Sequence, residues 1–163
     1  YNIKENPMLT FVARQHGEAW THPFVTIYEP SNKSEGSNIQ SVTFFADSNA
    51  LKEFSGVKVV SKTGRIDYIF SNTNTYEKAT YNGISSQSTY SVVGTEANGN
   101  CVFFMGNGVS LSTSMVKIKS KQPGMVVVSN KNGKWFYSAT TKCEIIIQGE
   151  KYHLSRSELC VIK

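Results

Sequence analysis

Val57-Lys58-Val59-Val60-Ser61-Lys62-Thr63-Gly64-Arg65-Ile66-Asp67-Tyr68-Ile69-Phe70-Ser71-Asn72 reads as strand, glycine turn, strand. β-Branched and aromatic residues dominate both arms, and such side chains suit a half-buried pleated surface. In the second arm Ile66, Tyr68 and Phe70 share one face, because side chains alternate along a strand. The same grammar recurs outward in both directions. Candidate strands cover residues 9–13, 23–29, 39–46, 57–61, 65–71, 79–81, 89–94, 101–105, 109–112, 115–119, 125–129, 134–139, 143–148, 150–154 and 159–162. They are short and separated by turn residues, which favours an all-β antiparallel sandwich, jelly-roll-like, over parallel βαβ units.

The turns have local causes. Asn132-Gly133 supplies residues comfortable at positive φ between two strands. Asn98-Gly99, Asn107-Gly108 and Gln148-Gly149 are expected to do similar work, and Ser31 to Asn38 reads as a polar surface loop. The segment from Asp47 to Phe54 is the only plausible helical turn, with Gly56 expected to end it. Val126-Val127-Val128 and Ile145-Ile146-Ile147 lack polar alternation, so they are expected to be covered on both sides, in central strands or at an inter-domain face. No linker divides the 163 residues, and a single domain over residues 1–163 is expected.

Hydrophobic residues make up 39% and charged residues 18%, an ordinary balance for a globular chain. No apolar run approaches the roughly 20 residues of a membrane helix. The chain begins with Tyr1 and shows no signal-peptide pattern, as expected of a processed chain or an excised fragment. The net charge of +5 favours acidic partners, including uronate or sulfated glycans. Nucleic acid is the rival, but no compact Lys/Arg run and no recognition helix support it. Lys117, Lys119 and Lys121 alternate and so share one face of a strand. The ordinary account of such a face is solvation or protection of a sheet edge.

Cys101, Cys143 and Cys160 fit no zinc or redox spacing. All three read as core thiols in apolar strands, and their disulfide state is open. His16, His22 and His153 lack metal-ligand spacing, so no metal and no cofactor is expected. A Cys160–His153 nucleophile and base has no motif behind it. Asp47 and Asp67 with scattered Glu give no carboxylate pair for glycoside hydrolysis. Asp67 is expected to be buried and bonded to turn amides near Gly64.

A second phrase carries a resemblance. Arg14-Gln15-His16-Gly17-Glu18-Ala19-Trp20-Thr21-His22-Pro23-Phe24-Val25-Thr26-Ile27-Tyr28-Glu29-Pro30 is a polar segment running into an alternating strand. Together with the stretch from Val57 to Asn72 it resembles the C-terminal β-sandwich region of heparinase II/III-like polysaccharide lyases. Those enzymes cleave acidic, uronate-containing glycans by β-elimination, using Tyr and His between a helical toroid and β-sandwich domains. The resemblance implies a C-terminal piece of such a lyase, periplasmic or secreted, with the catalytic domain upstream in the same polypeptide. No stretch matches the catalytic Tyr and His motifs, so no catalytic residue is expected here.

Arg14 is a candidate for bidentate binding of a carboxylate or sulfate. His16 and His22 are candidates for proton transfer, and Trp20 for stacking on a sugar ring. The ordinary alternative is a decorated loop with Trp20 packed at a sheet edge. A free-standing carbohydrate-binding module is a rival reading. It requires aligned exposed aromatics, for which Trp20, Trp135, Tyr81 and Tyr90 are the candidates. A structural interaction domain is the third, and fold alone does not separate the three.

Overall fold

The computed structural model describes residues 25–29, 36–47 and 53–162. Eleven strands account for most of them: β1 Ile39–Phe45, β2 Phe54–Ser61, β3 Ile66–Asn72, β4 Ala79–Tyr81, β5 Ile84–Thr95, β6 Cys101–Ser112, β7 Val116–Lys131, β8 Lys134–Ala139, β9 Cys143–Ile147, β10 Glu150–Leu154 and β11 Ser157–Val161. Every pairing is antiparallel, mostly between sequence neighbours. No helix occurs among the described residues, and none there is long and apolar enough to cross a membrane.

Three long strands build both layers. The C-terminal half of β5, the N-terminal half of β6 and the C-terminal half of β7 join β1, β2, β3, β8 and β11 in a first layer. The other halves of the same strands join β4, β9 and β10 in a second. The register shifts at Gln87/Ser88 and between Met105 and Ser110 mark the corner. Bulges bend a strand and let it change sheets. One core lies between the layers. Phe70, Phe103, Met105, Val126 and Val128 from the first layer pack in one cluster with Leu111, Val116, Ile118, Ile145 and Ile147 from the second. Phe45 seals one edge, stacking on Tyr81 with ring centres 3.8 Å apart.

The corner is polar inside. Ser86, Ser88 and Ser91 are buried, with Ser86 Oγ and Ser88 Oγ 2.7 Å apart and Ser91 Oγ donating to Ser86 Oγ at 3.0 Å. Small hydroxyl side chains fit where the layers converge, and they satisfy one another as buried polar groups must.

Several expectations are corrected. Phe54 opens β2 and Gly56 lies inside that strand, so no helical turn ends there. Gly56 is needed because a Cβ would collide with the ring of Phe45. Asn107-Gly108 makes no hairpin. It sits within β6, where Asn107 takes φ 46° as part of the bulge that turns the corner. Residues 115–119 and 125–129 likewise fall in one bent strand, β7, apart from Met115. Val25–Glu29, expected as a strand, is irregular, and residues 9–13 lie outside the described residues. Asn132-Gly133, Asn98-Gly99, Thr63-Gly64 and Gln148-Gly149 do turn the chain between strands.

Candidate functional site

The outward side of the second layer is hydrophilic and cationic. Pairing places Thr80, Ser85, Ser112, Lys117, Ile146 and Lys151 in one row across six strands. The next row holds Gln87, Ser110, Lys119, Glu144 and His153. Ser110 Oγ donates to Gln87 Oε1 at 3.0 Å, which knits the sheet surface beside the lysines. These residues point out because Leu111, Ile118 and Ile145, one step along each strand, point into the core.

At the bend of β7 this face deepens into a cleft of about 880 Å³ lined by Lys119, Lys121, Lys142, Glu144, His153 and Leu154, among others. A second hollow of about 500 Å³ continues along Lys78, Lys117 and Lys119. The cleft wall has a local cause. Gly124 has no Cβ, and one there would collide with Thr141, so the turn after β8 comes close. Met125 N–H donates to Thr140 Oγ1 at 2.9 Å, and Ser120 Oγ donates to the carbonyls of Gln122 at 2.6 Å and Lys142 at 3.3 Å.

Glu144 is the acid of this cleft. Its carboxylate sits 3.2 Å from Lys151 Nζ and 4.0 Å from His153 Nδ1. No ion pair among the described residues engages Lys117, Lys119, Lys121 or Lys142. Alternate residues of a strand lie ~7 Å apart and neighbouring strands ~4.8 Å. The ammonium groups therefore form a field on which an extended polyanion finds several contacts at once.

The structure disposes of several sequence candidates. Arg14, His16, Trp20 and His22 lie outside the described residues. His153 joins the lysine cleft, whereas Cys160 is on β11 against β8. Cys160 is exposed, contrary to the core reading, because it sits on the edge strand, with Sγ 2.9 Å from Ser157 Oγ. Cys101 and Cys143 are buried, burial pushes both thiols up, and all three cysteines are free. Asp67 bonds no turn amide. Its carboxylate accepts from Arg65 Nε at 2.8 Å and Nη2 at 2.9 Å, and this pairing pushes the Arg65 guanidinium further up. Tyr81 is committed to Phe45, and Trp135 stacks on Phe103 with centres 6.4 Å apart. Trp135, Tyr81 and Tyr90 therefore form no aligned exposed platform. No group of three or more metal-ligating side chains converges among the described residues.

Alternation alone grouped Lys117, Lys119 and Lys121. Lys142, Lys151 and His153 could not be added from sequence, since β9 and β10 bring them in only through their pairing with β7.

Fold and face together define an all-β domain with one cationic sheet surface. Residues 39–131, more than half the chain, match the family described as the endo-acting ulvan lyase C-terminal domain, and the chain belongs to that family. It is a polysaccharide-lyase C-terminal domain. The chain is also similar to an endo-acting ulvan lyase of Formosa agariphila, with 41% identity over 71 residues. That match covers 42% of this chain and 8% of the relative, so the matched segment spans less than a tenth of that enzyme.

Proposed function

We propose that this domain is the non-catalytic, glycan-holding C-terminal part of a polysaccharide lyase, and that its lysine face engages an acidic polysaccharide. The observation that carries the reading is the gathering of Lys117, Lys119, Lys121 and Lys142 on one face and its cleft, without ion-pair partners among the described residues. A catalytic region upstream in the same polypeptide performs the β-elimination, in the manner of the heparinase II/III-like lyases. Residues 1–163 act as one unit, and the enzyme is secreted or periplasmic, where its polymer substrate is met. Ulvan, named for the relative, is the first glycan to test. Arg14, His16, Trp20 and His22 remain candidates for additional sugar contacts.

Polyanion binding through exposed lysines is salt-sensitive, because the Debye length shrinks from ~10 Å at 0.1 M to ~3 Å at 1 M. Affinity electrophoresis of the 163-residue chain through gels containing ulvan, alginate or an uncharged glucan tests the reading. Retardation by the acidic polymers alone, abolished by salt, is expected. Equal retardation by the neutral glucan, or none by any polymer, refutes it. Absorbance of the unsaturated product should stay flat with this chain alone. Turnover would move the catalytic centre into it.

A further inference from the structure

The lysine cleft carries an acid among its cations. Lys119 and Glu144 face one another across β7 and β9, and His153 on β10 continues that row. Lys121 and Lys142 line the same cleft. Glu144 is the one acid among the described residues that line this cleft and the hollow beside it. A face that served only to attract negative charge would gain nothing from a carboxylate there, because like charge opposes the ligand.

The contacts of that carboxylate are one-sided. Lys151 Nζ at 3.2 Å and His153 Nδ1 at 4.0 Å both meet Oε2. Oε1 has no hydrogen-bond or ion-pair partner among the described residues, and the side chain, 26% exposed, lines the cleft. An ionised carboxylate only accepts hydrogen bonds. A sugar hydroxyl donates one, whereas the oxygens of an ionised sulfate, carboxylate or phosphate do not. The Lys151 contact occupies Oε2 and leaves Oε1 for a ligand.

We propose that Glu144 sets the specificity of the cleft: Oε1 accepts from a sugar hydroxyl while Lys119, Lys121 and Lys142 hold the anionic groups beside it. The proposal rests on the lysine-face reading and adds the chemistry of the ligand, which must carry a free hydroxyl next to its negative charges. Neighbouring strands lie ~4.8 Å apart and alternate residues ~7 Å, so the hydroxyl and the charge belong to one sugar ring or to adjacent rings. A polyanion without hydroxyls, such as polyphosphate, sets acceptor oxygens against Oε1 and is disfavoured. Specificity is a difference of affinities, and here one carboxylate supplies both the attraction and the repulsion.

Glu144→Gln in the 163-residue chain tests the proposal, because it keeps the shape of the side chain and removes its charge. Wild type and variant are titrated with ulvan, alginate and polyphosphate at the same ~0.05 M salt. Net charge alone makes every ligand bind the variant more tightly. The proposal requires opposite signs. Polyphosphate should bind up to about 5-fold more tightly, as one exposed like charge is gone. The glycans should bind about 3- to 10-fold more weakly, since a charge-assisted hydrogen bond is roughly twice as strong as the neutral one that Gln accepts. Glu144→Ala, which leaves no acceptor, should weaken the glycans further and still favour polyphosphate. Glycans bound by the Gln variant as tightly as by wild type, or more tightly, overturn the proposal. So does an equal weakening of polyphosphate, which marks the Glu144–Lys151 pair as structural. Replacing Lys119, Lys121 and Lys142 with alanine separates this failure from that of the lysine-face reading. Glycan binding that survives their loss defeats both, whereas binding that those lysines carry but Glu144→Gln strengthens defeats the Glu144 proposal alone.

Discussion

Replacing Lys119, Lys121 and Lys142 together with alanine should separate glycan binding from folding. The three line one cleft, and none has an ion-pair partner among the described residues. An exposed ion pair contributes ~0.2–1 kcal/mol. Losing three contacts should therefore weaken binding by about 0.6–3 kcal/mol, or roughly 3- to 150-fold at ~1.4 kcal/mol per factor of ten. Surface substitutions of this kind change stability by less than ~0.5 kcal/mol, so the thermal midpoint should hold. Isothermal titration with an acidic glycan at ~0.05 M and ~0.5 M salt measures both the loss and its screening. The control removes Lys131 and Lys134, which flank the β7–β8 turn in the other layer. If the control weakens binding as much per charge removed, attraction follows net charge alone and the cleft is not the site. Unchanged affinity in the triple variant refutes the reasoning outright.

Other outcomes follow from the core and the thiols. Gly56→Ala puts a Cβ into the Phe45 ring and should cost about 1–3 kcal/mol, read as a lower urea midpoint, while also disturbing the Phe45–Tyr81 stack. Ile145→Ala, at a fully buried site between the layers, should cost about 2–5 kcal/mol by the same measurement. A thiol reagent should label Cys160 alone in the native protein and all three cysteines in guanidinium. Cys101 and Cys143 are raised above the ordinary value of 9.0 by burial. The unfolded chain then binds fewer protons than the native one above about pH 9, so stability should fall as pH rises through that region. Urea midpoints that do not change between pH 8 and pH 10 would contradict this.

The layers were legible where strand periodicity met a hydrophobic core. Val126-Val127-Val128 predicts a strand covered on both sides; Val126 and Val128 are fully buried, but Val127 is only half-buried on the outward side, so one face of the expectation holds. The first half of β5 was invisible because Ser85-Ser86-Gln87-Ser88 offers no apolar alternation. Its inward positions are serines that bond one another at the corner, a tertiary solution with no local signature. Asn107-Gly108 looked like a turn for a related reason. Positive φ at Asn107 serves a hairpin or a bulge equally well, and only the partner strand decides. The lysine face was half legible. Lys117, Lys119 and Lys121 share a face by alternation, but their meeting with Lys142 and His153 depends on pairings between strands distant in sequence.

The corner explains how one small domain can present two unlike outer surfaces. β5, β6 and β7 run through both layers, so each contributes to the apolar face in one half and to the hydrophilic face in the other. In β7 the outward residues are Lys117 and Lys119 before the bend and Val127 after it. The bulges bend the strands and reset their alternation, which keeps one core continuous while the exterior changes from ammonium to valine. A simple hairpin meander without bulges would keep a single outer face. The register shifts at Gln87/Ser88 and between Met105 and Ser110 are therefore where the sequence separates an apolar side from a cationic side, and a deletion that restored regular register there should scramble both faces together.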